Sequence, residues 1–179
     1  MFEIMNIFSK PSLQIILYLG RRYREGYYVR ELSRKLNIGL GSASQSLRKL
    51  EKAGLVVKEN KGRLVIYRAN MENFILRQLK ILFTLLEINP LMPPLKDVSS
   101  RIILFGSCST GEDTEKSDID IFIESNDKKR ASELVESCQK KIDRKISPII
   151  MDSYEFRSLQ TKDKPLYERI NMGKVIHET

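Results

Sequence analysis

The sequence predicts an α+β chain in two unlike parts: three short helices closed by a β-hairpin, then a small mixed-sheet α/β domain. Three observations lead there. Helical spacing of apolar residues dominates residues 12–50, strict alternation appears in Asp118-Ile-Asp-Ile-Phe-Ile-Glu124, and the basic charge sits almost wholly in the first part. The chain has 179 residues and 41% hydrophobic content, enough for one large or two small cores.

The charge asymmetry is large. Residues 1–95 carry 16 Lys and Arg against 7 Asp and Glu, and residues 96–179 carry 15 against 16. A polyanion-binding module joined to something else is expected. The join reads as Asn89-Pro-Leu-Met-Pro-Pro-Leu-Lys-Asp-Val-Ser-Ser100, whose three prolines and lack of periodicity predict a linker between domains 1–90 and 91–179. No run of 18 apolar residues occurs, and the N-terminal MFEIMNIFSK lacks a charged-then-apolar signal pattern. A soluble, cytoplasmic protein that avoids membranes is expected. Cys108 and Cys138 are too few for a disulfide framework or a zinc site and read as reduced thiols, and His177 has no partner motif.

Element by element, Ser12 to Leu19 is an apolar helix with Leu13, Ile16 and Leu17 on its stripe. Val29, Leu32 and Leu36 mark a second helix, and Ala43, Leu47 and Leu50 a third, joined by the turn Asn37-Ile38-Gly39. That pair is a helix-turn-helix. Gly54 suits the left-handed conformation that closes a helix, and LVVKE and RLVIYRA then flank the tip Asn60-Lys61-Gly62-Arg63 as a basic hairpin. This order, over about residues 10–70, resembles the winged helix-turn-helix domains of ArsR- and MarR-like transcription regulators.

The resemblance implies that the third helix enters a major groove of double-stranded DNA while the wing rides the phosphates. Its non-core residues are Ser42, Ser44, Gln45, Arg48, Lys49 and Lys52. Gln45 can read adenine and Arg48 guanine, with Lys49, Lys52, Lys61 and Arg63 facing phosphates. Ser42 and Gln45 also fit a capping box, which would turn Gln45 back onto the backbone.

Residues 71–87, MENFILRQLKILFTLLE, form a helix whose stripe Ile75, Leu79, Leu82 and Leu86 is widened by Phe74, Ile81, Phe83 and Leu85. Such a face must be covered, either within the chain or by a homodimer mate. The homodimer is the favoured reading, with a roughly palindromic site as its consequence.

In the second part, Arg101–Phe105 reads as a buried strand broken by Gly106-Ser107, and Asp118–Glu124 as the next strand. Ile119, Ile121 and Ile123 share one face, so Asp118 and Asp120 share the other. The two carboxylates lie ~7 Å apart, and at an effective dielectric near 20 their repulsion is ~2 kcal/mol. A divalent cation removes that cost, and Mg2+ bound through one or two carboxylates plus the phosphate oxygens of an NTP suits the pair. The Gly-Ser turn lets a phosphate approach closely.

Gly106, Ser107, Gly111, Ser117, Asp118 and Asp120 match the pattern GSxxxG…SDxD and resemble the DNA polymerase beta-like nucleotidyltransferases, the minimal ones in particular. The similarity runs over about residues 98–178, through a helix at 128–142, a strand at 145–151 and a C-terminal helix and strand. It implies a nucleotidyltransferase-like fold in which Gly106, Ser107, Gly111 and Ser117 hold the nucleotide, and in which Asp118 and Asp120 bind metal and serve catalysis if the domain is active. The family's third carboxylate belongs near the middle of KISPIIM, where Ser147 and Pro148 stand, and Asp143 and Asp152 lie ~13 Å from that centre along an extended chain. Cys108-Ser109-Thr110 also stand where active relatives place an arginine, with Lys116, Lys128 and Lys129 as other sources of charge.

Two functions stay open on these residues. One is a DNA-binding regulator whose second domain binds Mg-NTP with weak or no transfer. The other is an active nucleotidyltransferase that transfers NMP to a protein, RNA or small molecule. The resemblance to minimal nucleotidyltransferases also suggests toxin-antitoxin pairing with a separate toxin-like protein.

Overall fold

The computed structural model describes residues 6–62 and 64–179, so Arg63 and the first five residues, on which the signal-sequence reading partly rests, lie outside the described residues. The chain divides into two compact units, Met1–Lys80 and Ile81–Thr179.

In the first unit, helix α1 (Lys10–Arg21) starts at Ser9, whose hydroxyl accepts from the Ser12 amide at 3.4 Å, with Pro11 in its first turn. Its buried face is Ser12, Ile15, Ile16, Leu19 and Gly20; of the expected stripe, Ile16 is buried while Leu13 and Leu17 are half-buried. Gly20 lies against the side chains of Lys80 and Leu76 on the helix at Phe74–Ile88, a close approach that a reading by side-chain hydrophobicity overlooks.

Strand β1 (Tyr27–Tyr28) leads into α2 (Val29–Lys35), whose start is fixed by Glu31, which accepts the Tyr28 amide at 2.8 Å. Asn37 (φ 52°) makes the left-handed turn into α3 (Leu40–Lys52). Helix α3 buries Ala43, Ser46, Leu47 and Leu50. Gly54 closes it at φ +70°, as expected, with the Leu55 amide reaching Leu50 O at 2.9 Å.

The capping box expected at Ser42 and Gln45 does not form. Gly39 caps the helix, its carbonyl accepting from the Ala43 amide at 2.9 Å, so Ser42 already lies inside the first turn and Gln45 a turn too far along to reach back. Strands β2 (Val56–Lys61) and β3 (Leu64–Ala69) pair antiparallel, with Lys61 opposite Leu64 at the end of the wing. Strand β1 extends this sheet through Tyr27 opposite Tyr67, in the order β1-β3-β2.

The unit boundary falls inside helix α4 (Phe74–Ile88). Leu76 and Leu79 are buried in the first unit and Ile81 and Ile88 in the second, while Ile75, Leu82 and Leu86 stay exposed.

The segment read as a linker is helical instead: a 3-10 turn at Asn89–Leu91, then α5 (Met92–Lys96). Pro93 and Pro94 fall in the first turn of α5, where amide hydrogens have no helical partner and proline costs nothing. Leu91, Met92 and Leu95 are buried in the core of the second unit.

That unit is a four-stranded mixed sheet in the order β6-β5-β4-β7. Its strands are β4 (Arg101–Leu104), β5 (Ile119–Glu124), β6 (Ile146–Met151) and β7 (Lys174–Glu178). Strands β5 and β6 run parallel; the other pairs are antiparallel. One face carries Ile102, Leu104, Ile119, Ile121 and Ile123 against α5 and α7 (Lys128–Gln139). The opposite face carries Ile103, Phe105 and Phe122 against α8 (Ser153–Lys162) and α9 (Lys164–Asn171). Phe122 packs on Phe156 with ring centroids 4.6 Å apart, so the face of β5 that bears the carboxylates is covered below Asp120.

Candidate functional site

In the second unit, β4 is followed by Phe105, whose amide bonds to Asp120 O at 3.1 Å, and the chain turns at Gly106 into the four-residue helix α6 (Ser107–Thr110). Gly106 has φ +67° and ψ −157°, a region almost closed to other residues, and a Cβ there would collide with Asp120 Oδ2. The turn and the carboxylate therefore need each other's shape. Gly106 and Ser107 line an open cleft of about 460 Å3, together with Ser109 and Thr110 on one side and Glu168 and Arg169 of α9 on the other.

Not every expected residue lines this cleft. Gly111 (φ 73°) ends α6, and the Ser117 hydroxyl accepts from the Thr114 amide at 2.9 Å. Both shape the loop that returns to β5.

Asp120 lies on the strand and Asp118 immediately before it. Burial pushes the Asp120 carboxyl above its ordinary range; Arg169 opposes this, Asp118 adds to it, and Lys145 opposes it. Asp118 Oδ2 ion-pairs with Lys145 Nζ at 2.8 Å, and this bond holds the ammonium group of Lys145 above its ordinary range. Across the parallel pair, Asp120 is in register with Ser147 and Ile121 with Pro148. Ser147 therefore stands beside Asp120 on the same face, with a hydroxyl and no charge.

This donor set suits one magnesium ion carried on a nucleotide, held by one or both carboxylates with phosphate oxygens and waters completing its shell. It does not form a self-sufficient metal site: among the described residues, no three His, Cys, Asp or Glu side chains are grouped to hold a metal. When bound, the ion would polarise the phosphate. Asp118 and Asp120 would orient it, and the Gly106 turn would let the phosphate approach.

The flanking carboxylates have other work. Asp152 caps α8 and ion-pairs with Lys128 at 3.0 Å, Glu155 binds the same ammonium, and Asp143 is exposed in the turn before β6. Lys128 is thereby committed away from the cleft.

Beneath the loop lies a buried cluster that the sequence reading missed. Arg144 approaches Asp113 and Glu87 at 3.2 Å each, and donates to Ser117 O at 3.1 Å and to Cys108 Sγ at 3.0 Å. Cys108 in turn donates to Asp118 O at 3.3 Å. Burial pushes the Cys108 thiol up, with Arg144 opposing. Both cysteines are free and buried, as expected.

In the first unit, Ser42, Gln45, Arg48 and Lys52 are exposed along α3, Ser44 and Lys49 are half-buried, and Lys61 is exposed at the wing tip. These side chains run along the outer face of the helix, opposite the core stripe. Lys58, also on the wing, is held by Glu51 at 2.7 Å.

A recognition helix with a basic wing, followed by a Gly-Ser turn facing an Asp-x-Asp strand, defines a winged-helix regulator domain joined to a nucleotidyltransferase fold. Comparison with known families agrees: residues 12–58 match the bacterial regulatory protein arsR family and residues 94–174 the nucleotidyltransferase domain. The chain thus carries an ArsR-type helix-turn-helix domain and a nucleotidyltransferase domain.

Among solved structures, it is similar to the homodimeric winged helix-turn-helix DNA-binding domain of Mb0332 from Mycobacterium bovis, a possible ArsR-family transcriptional regulator. That match has 20% identity and a TM-score of 0.42, covering 50% of this chain and 80% of that one. It is also similar to the transcriptional repressor BigR from Xylella fastidiosa (21%, TM-score 0.39, covering 47% and 79%). A third is reduced HlyU from Vibrio cholerae (24%, TM-score 0.39, covering 47% and 85%). No curated protein matches the chain. No helix among the described residues is long and apolar enough to cross a membrane.

Proposed function

We propose that the protein is a DNA-binding regulator whose nucleotidyltransferase domain binds Mg-NTP and transfers nucleotide weakly or not at all. The observation that carries this reading is the pairing of Asp120 with Ser147. The strand position that would deliver a third carboxylate to the metal and the attacking hydroxyl bears only a hydroxyl. Binding through Gly106, Ser107, Asp118 and Asp120 is kept, while the group that would help deprotonate the nucleophile is missing.

DNA binding rests on the exposed row Ser42, Gln45, Arg48 and Lys52 along α3 and on Lys61 at the wing. Ser44 and Lys49 border this row, and Arg63 follows Lys61 two residues on in the sequence. The exposed Ile75, Leu82 and Leu86 of α4 support a homodimer, for which sedimentation should give about twice the 20.8 kDa chain mass.

The open cleft beside the Gly-Ser turn favours a second reading, transfer of NMP to a protein, RNA or small molecule. Incubation with each labelled NTP, magnesium and cell extract separates the two. The regulator reading expects little or no transferred label; robust transfer that is lost on Asp118→Asn contradicts it.

A further inference from the structure

A triphosphate entering the cleft meets unfavourable charge. Glu112 and Glu168 line it, and the Asp120 carboxylate lies against Gly106 at the turn. The residues after Gly106-Ser107 are Cys108, Ser109 and Thr110, none of them cationic. Three lysines are paired with carboxylates: Lys145 with Asp118 at 2.8 Å, Lys128 with Asp152 and Glu155, and Lys164 with Glu168 at 3.7 Å.

Among the described residues, one cation lines the cleft, Arg169 of α9. It is exposed, its guanidinium lies 5.4 Å from the centre of the Phe105 ring, and its charge reaches Asp120. Stacking on Phe105, the residue before Gly106, holds the planar fork beside the turn, and its N-H groups suit paired phosphate oxygens.

Building on the Mg-NTP reading, we propose that Arg169 grips the phosphate tail of the nucleotide, supplying from α9 the positive charge that the Gly-Ser loop lacks. The ligand class that follows is a polyphosphate ester, selected by the length of its tail. Arg169 would then hold the tail from the α9 side of the cleft, with Gly106 and Ser107 also lining it.

The test is calorimetry on the full-length protein with the four NTPs and the four NMPs, each with magnesium. The wild type should prefer at least one NTP over its NMP. Arg169→Ala should weaken that NTP by about tenfold or more with little change for the NMP, the loss expected when a charged hydrogen bond is removed. Arg169→Lys should recover part of the loss, since a point charge replaces the fork. Arg157→Ala, an exposed arginine of α8 outside the cleft, should bind like the wild type. An unchanged NTP-to-NMP ratio in Arg169→Ala would overturn the role of Arg169 and leave the Mg-NTP reading standing. No nucleotide binding by the wild type would remove both.

Discussion

Ser147 is the in-register neighbour of Asp120 across the parallel β5–β6 pair. Parallel neighbours project to the same face on strands ~4.8 Å apart, so whatever occupies position 147 shares the environment of the Asp120 carboxylate. With serine there, Asp120 has no third carboxylate beside it on that face.

Ser147→Asp should therefore convert a weak site into a stronger one. A third carboxylate ~5 Å from Asp120 adds ~3 kcal/mol of repulsion at an effective dielectric near 20, so the metal-free variant should melt at a lower temperature than the wild type. Magnesium or manganese should then raise its melting temperature by more than it raises that of the wild type. Equal metal-induced shifts in the two proteins would show that position 147 does not face the metal.

The buried Arg144 cluster should matter more to stability than any surface pair. Asp113 is 1% exposed and Arg144 7%, so Asp113→Ala leaves a buried cation with one carboxylate fewer and should cost about 3–5 kcal/mol, read by urea denaturation. Arg144→Met with Asp113→Leu removes both charges and should cost less than Asp113→Ala alone. Because Arg144 also holds the carbonyl of Ser117, the single variant should weaken nucleotide binding as well.

DNA binding by the full-length chain should weaken steeply as salt rises, because several lysines and arginines displace counterions. Arg48→Ala should weaken a preferred site by ~1–3 kcal/mol and relax its sequence preference. Lys61→Ala should weaken all sequences alike and reduce the salt slope by about one. Mobility-shift titrations at three salt concentrations read both effects, and salt-independent binding would contradict the assignment of α3 and the wing.

The turn before α8 should show a pH dependence of known sign. The Lys128 ammonium and the Asp152 amide hold the Glu155 carboxyl below its ordinary range, and the Glu155 backbone and Lys128 do the same for Asp152. A depressed carboxylate stabilises the fold above its ordinary pKa, about 4, and that stability is lost as pH falls through the folded value. Lys128→Ala should make the fall in melting temperature below about pH 4 shallower than in the wild type. A steeper fall would mean that the cluster does not act on these carboxylates.

Much of the nucleotidyltransferase half was legible because its signals are short-range. Alternation in Asp118–Glu124 puts the isoleucines on one face, and the structure buries them together. The small-residue turn at Gly106 is equally local. Lys145 was legible in principle, since parallel register with Ile119 opposite Ile146 brings Lys145 next to Asp118, but that register appears only once the sheet is assembled.

Arg169 carried no such signal. Its place at the cleft depends on Ile170 and Phe156 packing α8 and α9 onto Phe122, a tertiary event with no spacing rule in the sequence. The prolines of α5 misled for the opposite reason: proline usually breaks a helix, and only its position in the first turn makes it harmless. Ser12 and Gly20 were passed over on α1 because close approach selects small residues, which hydrophobicity does not rank.

The central claim is that the Gly-Ser turn and the carboxylate pair form a retained magnesium-nucleotide site. Calorimetric titration of the full-length protein with each NTP, with and without magnesium, tests it most directly. Weak binding that requires magnesium, lost when Asp118→Asn and Asp120→Asn are combined because both anionic metal ligands are gone, is the predicted result. Binding that is absent, or that is the same with and without magnesium and survives the double change, would contradict it.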